Sequence, residues 1–176
     1  DQRVGVFIDV QNMYYSAKNL FGSKVNFGNI VKEAMAGRKL IRAIAYVVST
    51  ESKEEQPFFD ALYNVGIETK DKPLQIFWGG EKKADWDVGL AVDAIRFSSS
   101  LDAIVLVSGD GDYIPLVDYL RGQGKQVEVV AFGGTTSGKL IEAADDFIDL
   151  SQDKAKFLIA DKRYTAKRPA YPPKKV

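Results

Sequence analysis

Ala103-Ile104-Val105-Leu106-Val107-Ser108-Gly109-Asp110-Gly111-Asp112-Tyr113 reads as an unbroken apolar strand that runs straight into a turn carrying two aspartates. Five apolar residues without alternation mark a strand covered on both faces, as in a parallel sheet. The chain opens on the same design. Arg3–Val10 is nearly continuous in Val4, Val6, Phe7, Ile8 and Val10, and it delivers Asp9 near its end. Leu40–Val48 and Val127–Phe132 repeat the apolar run, Ile67–Thr69 and Leu74–Trp78 suggest a third strand around Lys72-Pro73, and Phe147–Leu150 reads as a short last strand. Helical stretches lie between them: Asn12–Phe21, a helix from the N-cap Asn26 to about Met35 closed by Gly37, Glu54–Asn64, Trp86–Phe97, Tyr113–Gly122 and Gly138–Ala144. This alternation predicts a three-layer, Rossmann-like α/β domain, with a mostly parallel sheet and helices on both faces.

The 176 residues fit one domain, and 45% apolar with 27% charged content is that of a globular protein. No run approaches the ~18 apolar residues needed to span a bilayer. No basic leader with a small-residue cleavage pattern opens the chain either, so a cytoplasmic domain without a membrane partner is expected. The oligomeric state is open, a homo-oligomer included. Composition shifts after Ser151, which divides a domain at 1–150 from a tail at 151–176. Asp153–Tyr164 reads as a terminal helix, and Thr165–Val176 holds three of the six prolines. From Asp161 to Val176, six basic residues stand against one acidic, a net of +5. The tail reads as a solvated chain end, or functionally as a phosphate-attracting arm.

The chain has no Cys and no His. Together these absences remove disulfides, thiolate sites, Ser-His-Asp triads, histidine bases and the usual zinc centres. Catalysis must then run on carboxylates, hydroxyls, lysine or a hard, oxygen-bound metal such as Mg²⁺ or Mn²⁺. Twenty-four basic residues balance 24 acidic ones, so attraction to a nucleic acid must be local.

In a doubly wound sheet, ligands bind beyond the carboxyl ends of the strands where the winding reverses. If the strands ending at Asp9 and at Ser108 are neighbours there, Asp9, Asp110 and Asp112 converge on one crevice, with Gly109 and Gly111 allowing a tight bend. Carboxylates at such range raise one another's pKa unless a cation neutralises them. A third source is Asp85-Trp86-Asp87, which opens a helix just before the second strand. One of its aspartates is expected as a cap and the other as a ligand, with Asp87 preferred. Asp93 lies about 240° around that helix from Asp87 and is expected as a structural charge. Each aspartate also has a plainer reading: Asp9 and Asp112 both suit helix N-caps.

Ile8-Asp9-Val10-Gln11-Asn12 followed by Tyr14-Tyr15 resembles the opening D-x-x-N motif of the NYN domains, in the LabA-like branch of the PIN-like nucleases. Asp87-Val88-Gly89-Leu90-Ala91-Val92-Asp93 and Ser108-Gly109-Asp110-Gly111-Asp112-Tyr113 resemble that family's two later motifs, and the likeness spans residues 3–150. The resemblance implies a sheet ordered 3-2-1-4-5 and metal-dependent ribonuclease activity. It also implies Asp9, Asp87, Asp110 and Asp112 as metal ligands, with Asn12 assisting by orienting a water or a phosphate oxygen. The chain departs from the pattern at Ala84-Asp85-Trp86, where the family often has Lys-Gly-Val.

Two rival motifs are weaker. Gly133–Lys139 fits a phosphate-binding G-x-x-x-x-G-K loop, but Leu140 stands where a hydroxyl should hold Mg²⁺. A phosphatase of the haloacid dehalogenase type needs an acid two residues after the first aspartate, and Gln11 is there. Tyr14, Tyr15 and Trp86 are candidates for stacking on unpaired bases, whereas Tyr113 reads as core, and Lys82 or Lys83 could meet a phosphate. The sequence therefore points to an endoribonuclease acting on RNA, single-stranded in particular, through an aspartate-bound Mg²⁺ or Mn²⁺ centre. The alternative is a non-catalytic RNA- or protein-binding module on the same fold.

Overall fold

The computed structural model describes residues 1–49, 55–76, 82–83 and 85–161. The end of the expected third strand at Trp78, the side chains of Lys82 and Lys83, and the tail from Lys162 onward lie outside the described residues and side chains.

In chain order the elements are β1 (Arg3–Asp9), α1 (Val10–Phe21), β2 (Ser23–Val25), α2 (Phe27–Met35), β3 (Lys39–Ser49), α3 (Gln56–Asn64), β4 (Glu68–Pro73), β5 (Gln75–Ile76) and β6 (Lys82–Lys83). They continue with α4 (Asp87–Phe97), β7 (Ala103–Val107), α5 (Ile114–Gly122), β8 (Gln126–Ala131), α6 (Gly138–Ala143), β9 (Asp146–Asp149), α7 (Lys154–Phe157) and β10 (Leu158–Ala160). The buried strands and the helices before the tail fall where the sequence places them, to within a residue or two. Six strands form one sheet in the order β4-β3-β1-β7-β8-β9, with every pairing parallel. Numbered within the sheet alone, this order is 3-2-1-4-5-6. It differs from the five-stranded 3-2-1-4-5 expectation by the edge strand β9, which the Asp145 side chain helps to seat by accepting the Val127 N–H at 2.8 Å.

The side-chain alternation of the strands builds two cores. Val4, Val6 and Ile8 of β1 join Val105 and Val107 of β7 on one face, under Met13 and Ala17 of α1 and Ile30 of α2. Phe7 of β1 joins Leu106 of β7 on the other face, under Leu90 of α4 and Leu116, Val117 and Leu120 of α5. Covering both faces is what makes β1 and β7 read as continuous apolar runs.

The expected terminal helix is corrected. Among the described residues of that stretch only Lys154–Phe157 is α-helical, and Leu158–Ala160 then turns extended and pairs antiparallel with β2. The physical reason is local. The Phe157 carbonyl accepts the Asn26 N–H at 2.8 Å, and the Lys156 carbonyl accepts from Asn29 Nδ2 at 2.8 Å, so the backbone is taken up by α2 rather than by another helical turn.

One buried charge locks α4 to the sheet. Asp93, 6% exposed, accepts from Lys70 Nζ on β4 at 2.6 Å, from Tyr46 OH on β3 at 2.8 Å and from Arg96 at 3.2 Å. Burial alone would raise its pKa, yet the hydrogen bonds from Lys70 and Tyr46 and the charges of Lys70 and Arg96 hold it below the usual aspartate value. Such a group stabilises the fold above its unfolded pKa, and that contribution is lost as pH falls through the lower folded value. Asp93→Asn is therefore expected to cost roughly 2 kcal/mol at neutral pH. In denaturant melts, the gap between the variant and wild type should narrow as the pH drops below the ordinary aspartate range.

Candidate metal centre

Asp9 is both the last residue of β1 and the N-cap of α1. Its Oδ1 accepts the Asn12 N–H at 3.2 Å, so the plain capping reading holds. Its Oδ2 is left for other partners, and accepts from Ser108 Oγ at 3.3 Å and from the Tyr113 hydroxyl at 3.1 Å. The carboxylate is 7% exposed.

The loop after β7 is stitched to the start of α1, because Asn12 Oδ1 accepts the Gly109 N–H at 3.0 Å. That carbonyl oxygen is thus engaged in loop geometry. Asp110 caps the short 3-10 turn Gly111–Tyr113 by accepting the Asp112 N–H at 2.9 Å. The glycines here answer to a close neighbour. A Cβ on Gly109 would lie 2.7 Å from Thr136 Oγ1 and 3.0 Å from Thr136 Cα, and one on Gly111 would lie 3.0 Å from Ser137 Oγ. The segment Gly133–Ser137 packs on this loop, with the Ser137 N–H donating to the Gly109 carbonyl at 3.0 Å. It is a glycine-rich turn in which Ser137 caps α6, in keeping with rejection of the nucleotide-binding reading.

Asp87 opens α4. Asp85 is exposed and its Oδ1 accepts the Asp87 N–H at 3.4 Å, a bond at the outer limit of useful length. The N-cap position of α4 is Trp86 and no side chain caps the helix there, so the expected aspartate cap is not formed. Asp87 Oδ1 reaches the Tyr113 hydroxyl at 3.1 Å. Trp86 is fixed by packing: its indole N–H donates to the Val47 carbonyl at 2.8 Å and its ring meets Tyr46 edge-on at 5.5 Å. A Cβ on Gly89 would sit 2.6 Å from that indole, so the glycine lets Trp86 fold over the first turn of α4. Tyr14 and Tyr15, 43% and 52% exposed, remain open to solvent.

One carboxylate oxygen each from Asp9, Asp87 and Asp110 lies within 4.8 Å of the others. The structure thus brings together three of the four sequence-predicted ligands. Asp112 stands outside this group: its amide serves the Asp110 cap while its own side chain is exposed. Placement two residues apart around a 3-10 turn carries adjacent acids to different sides. The residue that sequence reading missed is Tyr113. The sequence reads it as core, and its ring is core at 2% exposure, but its hydroxyl stands between Asp9 and Asp87. A tyrosine, with its polar tip, at the end of an acidic loop was the available signal.

Burial raises the Asp9 pKa, and the Asp110 charge raises it further, against hydrogen bonds from Asn12, Tyr113 and Ser108. Asp87 is pushed up to about 6, by burial first and then by the charge of Asp9, with smaller contributions from Asp110 and Asp85. Burial and the two flanking carboxylates also push the Tyr113 phenol up, so it stays protonated. Among the described residues, no lysine or arginine forms an ion pair with Asp9, Asp87 or Asp110. The donor set is all oxygen and its negative charge is uncompensated, which suits a hard cation such as Mg²⁺ or Mn²⁺. Oxygens on one Mg²⁺ at about 2.1 Å lie at most about 4.2 Å apart, so a group spread over up to 4.8 Å closes on such an ion with a small shift of the side chains.

The NYN domain model matches residues 3–151. The chain belongs to the NYN domain family. It is 28% identical over 161 residues to the "Low amplitude and bright protein LabA" of Synechococcus elongatus, covering 85% of this chain and 84% of that one. An uncharacterized protein of Methanocaldococcus jannaschii is 26% identical over 160 residues, and this chain spans 57% of its length. The crystal structure of a protein of unknown function from Vibrio parahaemolyticus superposes with a TM-score of 0.82 at 31% identity, covering 90% of this chain and 96% of that one. The chain thus pairs the NYN fold with a cluster of three carboxylates suited to a divalent cation. No helix among the described residues is long and apolar enough to cross a membrane.

Asp87→Asn removes one charge from the cluster while keeping an oxygen in reach of Tyr113. In EDTA the variant is expected to be more stable than wild type by ~1 kcal/mol, after discounting the raised pKa for partial exposure. Mn²⁺ should raise the melting temperature of wild type and do so far less for the variant. Wild-type melting indifferent to Mn²⁺ and Mg²⁺ would remove the cluster from consideration as a metal centre.

Proposed function

We propose that this protein is a metal-dependent endoribonuclease that hydrolyses single-stranded RNA. The observation that carries the reading is the meeting of Asp9, Asp87 and Asp110, from three separate chain segments, with no cationic side chain paired to them among the described residues. On this reading these three hold Mg²⁺ or Mn²⁺. When bound, such a cation lowers the pKa of a coordinated water and polarises a phosphoryl oxygen.

The protein's own groups supply orientation and access. Asn12 fixes the β7 loop against the start of α1, and thereby sets where Asp110 stands. Ser108 and the α1 amide hold the Asp9 carboxylate in one orientation. Asp112, exposed beside Asp110, sits where it can meet solvent on the way to the site and is not needed as a fourth ligand. Exposed Tyr14 and Tyr15, on the first turns of α1 below Asp9, offer ring faces to unpaired bases; stacking of this kind contributes ~1–3 kcal/mol per base. Duplex bases hide their faces, so such platforms favour single strands.

The test uses a labelled linear RNA and a circular RNA of the same sequence, each with Mn²⁺ or with EDTA. Linearisation of the circle in Mn²⁺, and none in EDTA, is the expected result. Asp110→Asn should lower the cleavage rate by about a hundredfold or more, the effect of losing several kcal/mol of charge stabilisation. Undiminished cleavage by the purified variant refutes the assignment. RNA that is retained in EDTA and left intact in Mn²⁺ would show a binding module instead.

A further inference from the structure

The hydroxyl of Tyr113 stands 3.1 Å from Asp9 Oδ2 and 3.1 Å from Asp87 Oδ1. A phenol carries one proton, so it donates to one of these oxygens at a time and lies between two acceptors competing for it. The two carboxylates come from β1 and from α4, elements on different parts of the chain. As acceptors they cannot hydrogen-bond to each other while ionised. Tyr113 is thus the side chain that ties one to the other.

The position of that hydroxyl is set by the core rather than by the loop. The ring belongs to the cluster of Phe7, Tyr46, Leu90, Leu116 and Leu140, and is 2% exposed. It cannot swing aside without opening a cavity beneath α4 and α5. The oxygen is therefore a fixed point against which the two carboxylates are aligned.

We propose that Tyr113 is a positioning residue for the cation, its hydroxyl holding Asp9 and Asp87 at a binding-ready separation. The proposal rests on the reading of Asp9, Asp87 and Asp110 as metal ligands. It is independent of whether RNA is the substrate. Partners that orient metal-binding side chains typically change affinity by about 10–100-fold when removed. Phenylalanine keeps the ring and deletes only the oxygen, so the packing that places the loop survives.

The experiment is titration calorimetry of Mn²⁺ into wild type, Tyr113→Phe and Leu116→Ala, in the absence of RNA, with the Mn²⁺ electron paramagnetic resonance spectrum recorded for each. Leu116 shares the ring's apolar cluster and carries no polar side-chain atom, so its truncation reports the effect of core damage alone. Tyr113→Phe is expected to bind Mn²⁺ about 10–100-fold more weakly than wild type, with a broadened spectrum and a melting temperature in EDTA close to that of wild type. In cleavage assays its metal half-saturation point should shift by the same factor, while kcat returns to within about threefold of wild type at saturating Mn²⁺.

Leu116→Ala should lose thermal stability and keep its Mn²⁺ affinity. Equal Mn²⁺ affinity in Tyr113→Phe and wild type overturns the proposal and leaves the metal centre standing. So does a loss of affinity in Leu116→Ala as large as that in Tyr113→Phe, since packing would then account for it. No Mn²⁺ binding by wild type overturns both the proposal and the metal centre beneath it.

Discussion

The parallel pairing of β1 with β7 governs the site, because it sets Ile8 beside Val107 and so brings Asp9 and Ser108 out of the sheet together. The chain winds outward from β1 in one direction through β3 and β4, and in the other through β7, β8 and β9. The helices leaving the two central strands consequently part company. Met13 and Ala17 of α1 pack into the core on one face, while Leu116, Val117 and Leu120 of α5 pack into the core on the other. A crevice between the β1 and β7 loops is the geometric result of that parting. The loops are then drawn across it by hydrogen bonds, from Gly109 to Asn12 and from Ser108 and Tyr113 to Asp9.

Two aspartates on α4 show how differently the fold treats charge. Asp93 is paired with Lys70 and Arg96 and bonded to Tyr46, and its pKa falls. Asp87, less than two turns earlier, faces other carboxylates, and its pKa rises to about 6. The first arrangement lowers the free energy of the fold, and the second raises it. A folded protein retains an arrangement of the second kind where something other than stability is served, which is why perturbed carboxylates in a cleft mark functional sites. The cost is carried by the surrounding rigidity: Trp86 clamped to Val47, Gly89 beneath its ring, and the Asp93 lock at the far side of the helix.

How much of this was legible in the sequence follows from the range of each interaction. Asp9 and Asp110 could be placed because both follow apolar strands, and the class of sheet dictates that strand ends form the crevice. Asp87 could be preferred over Asp85 from the motif it opens, but that neither aspartate caps α4, whose N-cap position is Trp86, is a matter of local backbone geometry that no periodicity reports. That Asp112 lies outside the group of three could not be read, because the pattern Gly-Asp-Gly-Asp does not say how a 3-10 turn rotates its side chains. β9 was glimpsed and left out of the strand order, since a four-residue edge strand carries little apolar signal. The β2–β10 pair escaped altogether: its strands are three residues each, and Leu158 leaves the helical path only because α2 has claimed the carbonyls before it.

The motif residues divide between chemistry and architecture in a way that bears on substrate binding. Asn12, Gly109 and Gly111 build the loop, Tyr113 braces it, and the three clustered carboxylates meet beside it. Those carboxylates would repel a phosphodiester, and the chain as a whole is electrically neutral, so no general field draws an anionic backbone to the crevice. On the proposed reading, the cation must therefore do two things at once: satisfy the protein's uncompensated charge and reverse the sign that the crevice presents to RNA. Metal and substrate are then coupled ligands, each strengthening the binding of the other by the same factor, because the coupling free energy is shared.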